Sequence, residues 1–174
     1  ELLSDDNGPE EVVRIAIVGR PNMGKSTLIN TLLSEDRLLT GPEAGITRDS
    51  IMVPFVFGNK KYEIVDTAGI RRSARIFEKV EKLMVKDAQR AIQFAKVCIL
   101  LLDARQTPHK QDMTIARYIA DEGRALIIGA NMWDAVEDKS SSIKQINDRL
   151  KTSLAQLRGV PVVPVSGLYG KGLD

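Results

Sequence analysis

The sequence predicts an α/β domain: a mostly parallel, six-stranded sheet with helices on both faces and one antiparallel hairpin at an edge. Three observations predict it. Short apolar, β-branched runs end in Gly or Asp and suit strands buried on both faces. Between them lie segments with apolar residues stepping by threes and fours, the spacing of amphipathic helices. One Gly58-Asn59 pair separates two strand-like runs, a two-residue hairpin signal.

Residues 12–18 (VVRIAIV) form the first buried strand, ended by Gly19. Leu28, Ile29, Leu32 and Leu33 place a helix over 25–33. Residues 37–50 lack periodicity and hold Gly41, Pro42 and Gly45, a loop long enough to carry function. Residues 51–57 and 61–65 make the hairpin, and an apolar face running from Ile76 to Ile92 marks a long helix. Residues 97–102 give a second buried strand ending at Asp103. Met113, Ala116, Ile119 and Ala120 give a helix, and 125–129 another strand. Ile143, Ile146, Leu150, Leu154 and Leu157 give the next helix, and 160–165 a last short strand. Strands alternating with helices in this way build a parallel sheet covered on both sides. No internal repeat is present.

Composition narrows the class. With 174 residues and 43% hydrophobic content, the chain can bury a core without staples. One Cys excludes a disulfide framework, and one His beside it cannot build a zinc site. No apolar run reaches the ~18 residues of a membrane span, and the acidic first residues lack the basic start of a signal peptide. These features fit a soluble domain of a reducing compartment. Net charge is +2, but residues 1–11 carry five acids and no base, leaving +7 on the remainder. Residues 1–11 therefore read as an acidic linker and 12–174 as the folded domain. A chain beginning at Glu1 and stopping at Gly172-Leu173-Asp174 is expected to be part of a longer protein.

Chemistry concentrates at four places. Gly19-Arg20-Pro21-Asn22-Met23-Gly24-Lys25-Ser26 matches the G-x-x-x-x-G-K-[ST] loop and lies between a strand and a helix, the context the motif requires. Glycines let backbone N–H groups curl round phosphate oxygens, and the helix start adds partial positive charge. Lys25 reaches the β- and γ-phosphates, and the Ser26 hydroxyl suits Mg²⁺. Asp66-Thr67-Ala68-Gly69 follows a strand, where a carboxylate can hold Mg²⁺ through water and Gly69 can bring its N–H close to the γ-phosphate. Asn131-Met132-Trp133-Asp134 follows another. A carboxylate at Asp134 accepts from guanine N1–H and N2–H₂, whereas adenine presents an N1 lone pair there. Such a site can discriminate by ~10⁴, because the wrong base leaves a buried group unpaired. Val165-Ser166-Gly167 would place backbone groups near the guanine carbonyl.

The order of these motifs, with a loop Thr between the first two, resembles the translation-factor-like GTPases. The strings GRPNMGKSTLIN, AGITRDS, DTAGIRR and NMWD are similar to the EngA/Der family of tandem GTPases. The acidic lead-in and the IRR segment resemble the second of its two G domains, and the likeness runs over residues 12–174. It implies a Ras-like G domain that binds GTP and GDP with Mg²⁺, hydrolyses GTP and is stimulated by K⁺. The implied partners are the large ribosomal subunit and its RNA, a neighbouring G domain and a C-terminal RNA-binding domain. The implied place is the cytoplasm or an organellar matrix.

Carried over by position, Asn22, Met23, Gly24, Lys25, Ser26 and Thr27 form the phosphate cradle. Thr47 resembles the Thr that completes the Mg²⁺ shell with Ser26 and Asp66, and Asn22 resembles the K⁺ ligand. Lys25, Thr47 and Gly69 take the catalytic places around the γ-phosphate. Asn131, Met132, Asp134, Ser166 and Gly167 fall on the base-recognition motifs. Two departures stand out. Met132 replaces the family's Lys, keeping an apolar stem but losing the charge, so weaker nucleotide binding with guanine preference intact is expected. Ile70 sits where Ras-type enzymes carry a water-orienting Gln, so slow intrinsic hydrolysis is expected.

Other functional readings remain at this stage: a nucleotide-bound docking module with negligible turnover, or an ATP-using enzyme, which Asp134 disfavours. Arg71, Arg72 and Arg75 form either a solvated helix face or a nucleotide-gated segment that meets RNA phosphates. Cys98 reads as core and His109 as a surface residue without a catalytic role. Trp133 reads equally as a wall of the base pocket or a core residue.

Overall fold

The computed structural model describes residues 11–34, 52–65 and 88–173. Six strands are β1 (Val13–Val18), β2 (Met52–Phe57), β3 (Lys60–Val65), β4 (Val97–Asp103), β5 (Ala125–Asn131) and β6 (Val162–Pro164). Helices are α1 (Lys25–Leu32), α2 (helical over 88–94), α3 (Lys110–Asp121) and α4 (Lys139–Ser153), with a 3₁₀ turn at Trp133–Ala135. The strands run in the order β2-β3-β1-β4-β5-β6, and only the β2–β3 pair is antiparallel.

The hairpin forms where the sequence places it. Gly58 and Asn59 both take positive φ, 55° and 65°, the pair of conformations a tight hairpin turn needs. Phe55 faces Tyr62 across the ladder, and their rings stack at 5.4 Å.

One sheet face buries Ala16, Cys98, Leu100, Leu102 and Ile128 under α2, α3 and α4. Met113, Ala116 and Ile119 of α3 and Ile146 and Leu150 of α4 supply the covering stripe. The opposite face packs Leu28 and Ile29 of α1 against Ile17, Ile64 and Leu101. Beside α1 runs an apolar groove of about 290 Å³ bordered by Ile15, Phe57, Tyr62, Ile99 and Ile127. Among the described residues no helix is long and apolar enough to cross a membrane.

Three differences from the sequence reading are local. The apolar period over 143–157 outlasts its helix: α4 stops at Ser153, Leu154 leaves helical geometry, and Leu157 packs on the core from a turn. The last strand shrinks from 160–165 to three residues; it starts after Pro161, which has no N–H to give a ladder, and Val165 beyond its end still donates its N–H to the Ala130 carbonyl. β5 reaches Asn131, two residues further than its apolar run, because Leu102↔Ala130 and Asp103↔Asn131 continue the pairing with β4. The expected loop over 37–50, the helix from Ile76 as far as Asp87, and all of the acidic lead-in except Glu11 lie outside the described residues.

Candidate functional site

The C-terminal ends of the parallel strands β1, β4, β5 and β6 lie along one edge of the sheet, and the described motif residues follow β1, β5 and β6 there. Parallel strands bury their middles, so polar chemistry collects at their ends, where loops leave the sheet.

The loop after β1 is built from close contacts. A side chain on Gly19 would put its Cβ 2.8 Å from the Leu101 carbonyl oxygen. A Cβ on Gly24, which takes φ 89°, would collide with the Asn131 amide nitrogen. Gly24 then starts α1 without any side-chain cap, and the N–H groups of Lys25, Ser26 and Thr27 have no backbone partner among the described residues. Open amides at a helix start form an anion site. Asn22 is exposed at the loop's outer bend with φ 63°, and the Ser26 and Thr27 side chains are exposed. The Met23 side chain points the other way, 6% exposed in the α1-side core, so only its main chain faces the loop.

Lys25 lies back along this loop. Its ammonium donates to the carbonyls of Gly19 at 2.8 Å and Arg20 at 2.7 Å. An ammonium has three protons, so one remains for a phosphate oxygen. Burial holds its pKa well below the usual lysine value, at about 8, which an anionic neighbour would reverse.

The base end is assembled from three separate chain segments. Asn131, 3% exposed, donates from Nδ2 to the Met23 carbonyl at 2.9 Å and accepts the Gly167 N–H on Oδ1 at 3.0 Å. It clamps the phosphate loop to the loop after β6. Thr31 of α1 adds a second tie, its hydroxyl donating to the Gly167 carbonyl at 2.7 Å. Met132 turns the chain with φ 60° into the 3₁₀ segment, which brings Asp134 to the rim. The Ser166 hydroxyl donates to Asp134 Oδ1 at 2.6 Å, while Oδ2 has no partner among the described residues. A carboxylate held by one oxygen at an exposed rim can accept a pair of N–H donors.

Sequence reasoning expected the 165–167 backbone to reach the base. Its N–H groups are already used: Val165 bonds Ala130, Ser166 bonds Lys171, and Gly167 bonds Asn131. In that loop the N–H groups of Leu168 and Gly170 have no partner among the described residues, and no pattern singled out either. Trp133 is half-buried, with one side packed against the cluster under α3 and α4. His109 is the N-cap residue of α3, with its main-chain N–H bonded to Asp112. Thr47, Asp66, Gly69, Ile70 and Arg71, Arg72 and Arg75 lie outside the described residues. Ser26 offers one hydroxyl oxygen, which fits Mg²⁺, an ion that keeps several waters and shares substrate phosphates rather than needing an all-protein cage. Among the described residues no group of three or more His, Cys, Asp or Glu gathers around a common point.

Fold and site together define a P-loop domain of the GTPase class: a glycine-rich loop opening an uncapped helix, and a loop after the last strand, tied together by one buried Asn. The model of the 50S ribosome-binding GTPase family matches residues 14–132, and the chain belongs to that family. It is 53% identical over 172 residues to GTPase Der of Novosphingobium aromaticivorans, covering 95% of this chain and 37% of that protein. GTPase Der of Brucella anthropi is 51% identical, with 100% and 38% covered. The chain thus spans little more than a third of the curated relatives it matches. Among solved structures it resembles Era in complex with MgGDPNP and nucleotides 1506–1542 of 16S ribosomal RNA. That match has a TM-score of 0.67 at 29% identity and covers 94% of this chain and 54% of that one. A variant of Aquifex aeolicus Era bound to GDP·AlF4⁻ matches with a TM-score of 0.67 at 28% identity, with the same coverage.

Proposed function

We propose that this domain binds GTP with Mg²⁺, hydrolyses it, and uses the two nucleotide states as a switch in assembly of the large ribosomal subunit. The observation that carries the nucleotide reading is the Asn131 clamp, which ties the phosphate loop to the end of the strand that leads into Asp134 and to the loop holding Ser166. Ser26, Thr47 and Asp66 would hold Mg²⁺, which would neutralise charge on the β- and γ-phosphates. Lys25 supplies a fixed positive charge, and the α1 amides supply oriented donors, so the chain stabilises charge rather than forming a covalent intermediate. Ile70 cannot orient water, and we assign the missing charge beside the β–γ bridge to K⁺ held by Asn22. The large-subunit partner is supported by the family's description; the 16S RNA bound to Era, a small-subunit RNA, supports only the broader reading of ribosome association. A cytoplasmic or organellar-matrix location, a neighbouring G domain and a C-terminal RNA-binding domain accompany this reading.

Turnover of GTP in KCl and NaCl at matched ionic strength tests it. Faster cleavage in KCl is expected; equal rates remove the K⁺ role and leave the nucleotide site standing. Ile70 favours one competing reading, a nucleotide-bound docking module without turnover. Single-turnover cleavage in K⁺ separates the two, because the docking module leaves GTP intact.

A further inference from the structure

The phosphate loop has an anchor outside the nucleotide motifs. Arg20, its second residue, donates from Nε to Asp112 Oδ1 at 2.8 Å across 92 residues of chain. The Asp112 side chain is 1% exposed and that of Arg20 15%. The second carboxylate oxygen takes the His109 N–H at 2.8 Å and so closes the first turn of α3. One buried carboxylate therefore joins the start of α3 to the loop.

Arg20 passes this restraint on. Its carbonyl receives the Lys25 ammonium, and its Nη2 lies 3.9 Å from the Met23 sulfur. A cavity of about 160 Å³ lies between Arg20 and residues Ala88, Ile92 and Ile115. Among the described residues, Asp112 is the only carboxylate hydrogen-bonded to the Arg20 guanidinium, while Asp103 adds a longer-range attraction to it. A Gly-rich loop is soft on its own. Buried ion pairs are costly to desolvate and often add little stability, so one placed on such a loop points to a role in setting geometry.

We propose that Asp112 is a positioning residue for the phosphate loop, acting through Arg20 on the carbonyl that holds Lys25. It touches no ligand atom. A loop fixed beforehand loses little freedom on binding, whereas a loosened one must be ordered by the ligand. GDP and GTP share the loop, so both should be held less tightly without the anchor, and base preference should not move. The inference rests on the loop being a nucleotide site.

The test measures dissociation rates of fluorescent GDP and GTP analogues from the full chain, well below each variant's unfolding transition. The variants are Asp112→Asn, Arg20→Gln, Arg20→Lys and the Arg20→Gln/Asp112→Asn pair. Asp112→Asn keeps an oxygen for the His109 N–H and separates loss of the anchor from loss of the helix cap. Each single neutral variant is expected to release both nucleotides about tenfold faster, and the pair no faster than the worse single. Arg20→Lys, which keeps the charge without the planar fork, should recover part of the loss. Unchanged rates in folded variants, or effects that multiply in the pair, overturn the proposal. So does a lower melting temperature with unaltered release. A wild type that binds no guanine nucleotide overturns both this and the function above; a binding wild type with unaltered variants overturns this alone.

Discussion

The two ends of the site are built on different plans. The phosphate end is one continuous stretch, residues 19–27, whose properties come from local backbone: a strand, two tight glycines and an uncapped helix start. The base end draws on residues 131–134, residues 165–168 and Thr31, and has no shape until the sheet brings them together. The electrostatics differ as well. The phosphate end holds a half-buried cation whose charge desolvation opposes, while the base end holds an exposed carboxylate steadied by one hydroxyl. Affinity should therefore reside mainly at the first end and selectivity at the second. Asn131 belongs to both.

The sharpest way to break this division is Asp134→Asn. GTP-over-ATP preference should fall by about a thousandfold, read from competition binding, while GTP affinity drops far less. A parallel loss for both nucleotides would mean Asp134 holds structure rather than the base. Asn131→Ala should strike both ends at once. It leaves the Met23 carbonyl and the Gly167 N–H buried without partners, so about 2–4 kcal/mol of stability should go in denaturant unfolding. Affinity and selectivity should then fall together; loss of only one would show that the ends are not coupled through this side chain.

Raising the pH should act on the phosphate end alone. Free Lys25 loses its proton at about 8, so binding a phosphate anion above that value must restore it. Affinity for GTP should weaken about tenfold from pH 7 to 9 in titrations, with GTP-over-ATP preference constant. The nucleotide-free domain should become more stable over the same rise. Between about 8 and the ordinary lysine value of 10.5, the unfolded chain binds the proton that the native Lys25 has released. The smallest effect is expected from Met132→Lys. Restoring a charged head at the base end should tighten GTP and GDP a few-fold without changing preference. Equal affinity would show that the Met stem alone suffices.

Arg20 and Asp112 extend the comparison beyond the nucleotide. Both ends hang on buried polar side chains from elsewhere in the chain: Asn131 for the base loops, Asp112 for the phosphate loop. Neither contact has a local signature. Asp112 reads as an ordinary charge on an amphipathic helix, because periodicity reports which face is buried and not what a buried acid pairs with.

What the sequence determined by itself was whatever short-range physics controls. Two positive-φ residues made the hairpin, strand-breaking glycine ended β1, and the spacing of Met113, Ala116 and Ile119 oriented α3. The phosphate loop was legible for the same reason, its residues being neighbours in the chain. Only the tertiary structure decided that Trp133 packs one side against the core, that the Ser166 and Gly167 amides are spent inside the protein, and that those of Leu168 and Gly170 have no partner among the described residues. It also decided that the last strand would keep only three residues, and that Asp112 would reach Arg20. Those outcomes depend on which distant groups compete for the same donor, acceptor or volume, and that competition exists only once the sheet has assembled.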